Sequence, residues 1–128
     1  MTGRARLQTV SPQFVVPDVV KTAEYYRDVL GFEILGYFLD PPVFAMVARD
    51  GVELHIGKID EGKEMHVNET VRRGLGTDAY IRVSDIEQLH KELIEKNAEI
   101  VEGPILRVYD MVEITIRDCN GFQIVFGA

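Results

Sequence analysis

The feature that most constrains this chain is a weak internal repeat. "VPDV" at 16–19 is answered by "VSDI" at 83–86, 67 residues further on. "FEILG" at 32–36 resembles "AEIVEG" at 98–103, and "RDGVELHIG" at 49–57 resembles "RDCNGFQIVFG" at 117–127. Three matches, in order and at nearly constant offset, argue for two copies of one unit. Each strand assigned in one copy then constrains its counterpart in the other.

The unit reads as strand, helix and three strands. In "PDVVKTAEYYRDVLGF", Asp18 is an N-cap, Val19, Ala23, Tyr26 and Leu30 fall at helical spacing, and Gly31 is a stop. In "SDIEQLHKELIEKNAEI", Asp85 with Gln88 suits a capping arrangement, and Ile86, Leu89, Leu93 and Ile94 form one apolar stripe. Around these helices lie eight β-rich runs: "TVSPQFVV", "FEILGYF", "VFAMVAR", "VELHIG", "DAYIRV", "AEIVEG", "VEITIRD" and "FQIVFG". With 128 residues there is room for one core of ordinary size, so 1–128 is expected to be a single domain. Its two βαβββ modules fall at about 8–58 and 77–128, with a linker at 59–76. The expected class is α+β, with two βαβββ repeats forming an eight-stranded, curved mixed-sheet groove and helices on the outer face.

Alternation along the strands sorts the faces. Phe14 and Val16, Leu54 and Ile56, Ala79, Ile81 and Val83, and Ile124 and Phe126 make an apolar set that should carry the helices. The opposite set contains Ser11, Gln13, Val15, Glu53, His55, Asp78, Tyr80, Arg82, Gln123 and Val125. The run "YDMVEITIR" would add Tyr109, Met111, Glu113 and Thr115. Such a face is either the solvated side of half-buried sheets or the wall of a small-molecule groove. Tyr37 and Phe38, where the chain leaves a strand, are candidates for ordinary packing or for a pocket mouth.

Charge and cysteine content narrow the partners. A formal charge of −7 with no basic cluster argues against nucleic acid, and in a groove it would favour a cationic ligand. No apolar run reaches bilayer length, and the N-terminus has no apolar stretch of signal-peptide length. Cys119 is single, so no internal disulfide is expected, and the cytoplasm is the expected compartment. It sits in the turn "RDCNGF" and reads as a turn residue rather than an activated thiolate. No G-x-S-x-G or phosphate-cradling glycine loop is present. His66 reads as a surface residue of the linker, and His90 as packing at the edge of the second helix.

On "VVPDVVKTAEYYRDVLGFEIL", "AYIRVSDIEQLHKEL" and "RDCNGFQIVF", the chain resembles the vicinal oxygen chelate superfamily of glyoxalases, bleomycin-resistance proteins and dioxygenases. The resemblance runs from about Thr9 to the C-terminus and implies the paired βαβββ fold. It also implies where metal-binding members take their ligands, one residue from the first and last strand of each half. Those positions fall here on Ser11, His55, Asp78 and Val125, and a slip in the alignment of this short strand would put Glu53 in place of His55.

Val125 cannot coordinate and a serine hydroxyl is a poor donor, so only His55 and Asp78 qualify where three protein ligands are usual. No metal, cofactor or catalytic residue is therefore expected. The chain is most similar to the metal-free, bleomycin-resistance-like members, which implies a homodimer that binds a small organic ligand without chemistry. The groove is expected to be lined by Ser11, Gln13, Glu53, His55, Asp78, Tyr80, Arg82, Tyr109, Met111, Glu113 and Val125. His55 is expected to be a neutral imidazole hydrogen-bonded to Asp78, Ser11 or the ligand, and Arg82 to be consumed by ion pairs with Asp78, Glu53 or Glu113. The alternative is a lyase, isomerase or dioxygenase using a divalent metal ion held by His55 and Asp78. Neither nucleic acid nor membrane is an expected partner.

Overall fold

The computed structural model describes residues 3–74 and 76–128. The first module comprises β1 (Gln13–Val16), α1 (Val19–Asp28), β2 (Glu33–Phe38), β3 (Phe44–Arg49) and β4 (Val52–Lys58). The second comprises β5 (Ala79–Arg82), α2 (Ile86–Glu95), β6 (Glu99–Leu106), β7 (Val112–Arg117) and β8 (Gln123–Gly127). A short 3₁₀ turn, Asn68–Thr70, lies between them. This is the α+β, twice-repeated βαβββ architecture expected of the sequence, with its eight strands divided between two four-stranded mixed sheets. Their orders are β1-β4-β3-β2 and β5-β8-β7-β6, and in each the first strand runs parallel to the last.

Both helices start as their caps dictate. Asp18 Oδ1 accepts from Lys21 N and Asp85 Oδ1 from Gln88 N, each at 3.0 Å. Gly31 follows α1 with φ +74°, a left-handed position that ends the helix without a Cβ clash. Val19, Thr22, Ala23 and Tyr26 are the buried face of α1, and Leu89 and Leu93 that of α2. None of the described helices is long and apolar enough to cross a membrane.

The core joins the modules on their helix sides. Phe14 of β1 stacks on Phe122 at the start of the last hairpin arm, with centroids 4.5 Å apart and planes 13° from parallel. Such a pair adds about 0.5–1.5 kcal/mol beyond the area it buries. Each helix also touches the hairpin turn of the other module. Tyr26 donates to Asp118 Oδ2 at 2.6 Å, while Arg49 donates to Glu92 at 2.8 Å and to the Leu30 carbonyl at 2.9 Å. Asp118 shapes its own turn by accepting from the amides of Asn120 and Phe122.

Some sequence-predicted boundaries shift. Ser11 precedes β1 rather than lying within it, because Pro12 has no amide to give a ladder. Tyr109 and Met111 sit in the turn between β6 and β7, closed by Arg107 N donating to Met111 O at 2.8 Å.

Candidate functional site

The polar residues expected to share one groove fall into two sets, one on each sheet. On the first sheet, pairing of β1 with β4 sets Gln13 beside His55, and pairing of β3 with β4 sets Met46 opposite it. His55 Nε2 lies 2.6 Å from Glu53 Oε2, and its ring packs edge-on against Phe44 at 5.4 Å. His55 therefore bonds to its own strand. The hydrogen bond expected with Asp78 or Ser11 is not made, since Asp78 lies just before β5 beside the other sheet and Ser11 lies in the segment before β1. Glu53, expected in the groove but not as a partner of His55, is the group it meets.

The second sheet holds a more elaborate arrangement. Glu113 of β7 is only 3% exposed. Its Oε2 accepts from the hydroxyls of Tyr80 and Tyr109, each at 2.7 Å, and its Oε1 from Arg107 Nε at 3.0 Å. Arg107 turns its other end to Glu102. Burial alone would push the Glu113 carboxyl up, but the three donors together hold it below the usual carboxylate range. Burial and the bond to Glu113 push the Tyr80 hydroxyl up to about 12, so it stays a donor. Two of the three donors come from outside regular strands, which is why Tyr109 serves the site despite leaving β7.

The linker closes one side of this sheet. Asn68 N donates to Asp78 Oδ1 at 3.0 Å, and Asp78 Oδ2 accepts from Gln123 N at 2.9 Å. Glu69 receives Arg117 through both carboxylate oxygens and Gln123 Nε2 at 2.7 Å. Asp78 is thus a fastener between linker and sheet, with both oxygens occupied. Between Glu69, Thr77, Glu102, Arg107, Glu113 and Val125 lies a cleft of about 350 Å³, within the size range of small-molecule pockets.

Of the predicted groove residues, Glu113 and Val125 line this cleft, and Tyr80 and Tyr109 support it through Glu113. Gln13, Glu53 and His55 lie on the first sheet, Ser11 beside it. Arg82 is exposed and has no ion pair among the described residues; its expected partner Glu113 is held by Arg107 instead. Met111 is half-buried in its turn. Glu69, Glu102 and Arg107 were missed. Arg107 and Glu102 carry no motif, and the one signal for Glu69 is a connection longer than most.

The donors implied by metal-binding relatives do not converge within the chain. No three His, Cys, Asp or Glu side chains gather as a metal site among the described residues. Of the two qualifying positions, His55 faces Glu53 and Asp78 is spent on two amides.

A family model described as the Glyoxalase/Bleomycin resistance protein/Dioxygenase superfamily matches residues 7–126. No curated protein matches the sequence. Among solved structures, TioX from Micromonospora sp. ML1 superposes with a TM-score of 0.72 at 16% identity, over 94% of this chain and 98% of that one. A protein assigned to the glyoxalase family from Bacillus anthracis gives 0.71 at 20% identity, over 98% of both chains. A superfamily member from Sphaerobacter thermophilus DSM 20745 gives 0.71 at 18% identity, over 94% of this chain and 97% of that one. At these identities the similarity speaks for the fold alone.

Proposed function

The chain belongs to the glyoxalase/bleomycin resistance protein/dioxygenase superfamily, and from that premise we propose that it binds a cationic organic small molecule and sequesters it without catalysis. The observation that carries this reading is the charge of the cleft on the second sheet. Three carboxylates, Glu69, Glu102 and Glu113, line it beside the apolar Val101 and Val125; Arg107 pairs with Glu102 and Glu113 and Arg117 holds Glu69, which leaves one carboxylate charge in excess. A cation gains from that imbalance in a partly desolvated site, and an apolar body gains from the valines.

Calorimetric titration with planar quaternary-ammonium dyes tests the proposal. Saturable binding is expected that weakens with salt and with Glu102→Gln, and mass spectrometry should recover the dye unchanged. Absence of binding to demonstrably folded protein would sink it. Protection of a cytoplasmic target from a cationic antibiotic is the role this reading implies, tested by the tolerance of a sensitive strain expressing the protein.

We further propose a homodimer. The first sheet presents Val15 and Phe38 to solvent on the face that carries His55, and the second presents Tyr80, Ile105 and Tyr109 on the face that carries Glu113. Apposing these faces from two chains would cover both and enlarge the cleft.

A second reading rests on the contact between His55 and Glu53, two metal-ligating groups side by side on the first sheet. A metal-dependent lyase, isomerase or dioxygenase needs further donors from a second chain. Elemental analysis after incubation with Ni, Zn, Mn or Fe separates the readings, since stoichiometric metal favours the second and its absence the first.

A further inference from the structure

The two halves of the repeat fill their shared core unequally. At the junction of β1, α1 and the β7–β8 turn, Phe14, Phe122 and Tyr26 pack tightly, each at most 4% exposed. The repeat maps these positions onto Ile81, Val52 and Leu93, since β1 pairs with β4 (Phe14 with Ile56) as β5 pairs with β8 (Ile81 with Phe126). Three aromatic rings in one half are three aliphatic side chains in the other.

Two of the three, Val52 and Ile81, border an open cleft, while Leu93 lies on the buried face of α2. This cleft of about 340 Å³ opens at the junction of β5, α2 and the β3–β4 turn, floored by Phe32, Val52, Ile81, Leu89 and Phe126. It lies on the helix side of the second sheet, away from the acidic cleft, and shares no lining residue with it. At its edge, Glu92 Oε1 holds Arg49 at 2.8 Å, while Oε2 takes no hydrogen bond among the described residues. The Gln88 side chain at the rim is likewise without a partner among them.

We propose that this junction is a second ligand site, for a planar aromatic molecule bearing an N–H donor. Its ring takes the place that the Phe14–Phe122 stack occupies in the other half, and its N–H meets Glu92 Oε2. The site ties the two modules together, because Val52 comes from one and Ile81, Leu89 and Glu92 from the other.

Indole is the probe. In ¹⁵N–¹H spectra of the full-length protein it should shift the amides of Val52, Ile81, Leu89 and Glu92 saturably, with Kd of about 1 mM or tighter. The double variant Val52→Phe/Ile81→Phe copies the filled half and should weaken indole at least ~tenfold. Should that variant not fold, Gln88→Trp places an indole ring at the exposed rim and should compete in the same way. Shifts that never saturate, shifts confined to Thr115 and Val125 of the acidic cleft, or unchanged affinity in a folded, filled variant would each overturn the proposal.

Discussion

The Tyr80 hydroxyl reaches Glu113 at 2.7 Å by crossing directly over Gly127, where a Cβ would collide with the phenol. The first half does the same with other residues, for the Gln13 side chain crosses Gly57 and lies 2.5 Å from where a Cβ would stand. In each sheet a glycine on the last strand lets a side chain from the parallel edge strand lie flat across it. Gly127→Ala should dislodge Tyr80 and destabilise the protein by about 1–3 kcal/mol in urea denaturation, the range for leaving a buried polar group short of a partner. The same substitution in a Tyr80→Ala background should cost distinctly less, since the ring is then gone.

Tyr26 joins the two modules through Asp118. The hydroxyl is buried, its ionisation is suppressed by burial and by the adjacent carboxylate, and its 2.6 Å bond leaves the phenol a donor. Tyr26→Phe keeps the ring and removes only that bond. A loss of about 1–3 kcal/mol in equilibrium unfolding is expected, because Asp118 stays buried with one donor fewer.

Acid should separate the two buried carboxylates. Glu113 is held below its ordinary range in the folded state, so the stability it contributes is present above the unfolded value and is lost as pH falls through the folded one. Asp118 is pushed up, chiefly by burial, so its ionisation costs stability as pH rises from the unfolded value to the folded one. Glu113→Gln should therefore flatten the acid limb of a stability–pH curve. Asp118→Asn should steepen it.

Phe38 is 60% exposed at the end of β2. If two chains meet across these sheets, Phe38→Asp places a charge in an apolar contact while leaving the monomer within about 0.5 kcal/mol of its original stability. Sedimentation velocity should show the wild-type mass at twice the chain mass and the variant at one. A wild type already at one chain mass would refute the dimer.

How much of this could be read in advance differs by element. The Asp18 and Asp85 caps, the Gly31 stop and the apolar alternation of β4 and β8 depend on contacts within a few residues, so the fold was legible. The site was legible only in part. Glu113 and Val125 followed from strand alternation, whereas Arg107 and Glu69 reach the cleft from a turn and a linker, where no periodicity constrains direction. His55 lies on the face that alternation gives it, and within the chain it meets Glu53 rather than Asp78 or Ser11. Alternation determines on which side a side chain lies, and not which of the groups on that side comes within bonding distance.

The sequence by itself determined the repeat, the order of elements and the dry face of each sheet, because capping, periodicity and alternation are local and each half repeats the other. Only the tertiary structure decided that the eight strands part into two sheets, that Glu113 gathers three donors, and that one inter-module junction is filled while its counterpart is open. Those outcomes depend on which surfaces of the two halves meet, and side-chain volumes at Phe14, Phe122, Val52 and Ile81 acquire that meaning only once the halves are packed.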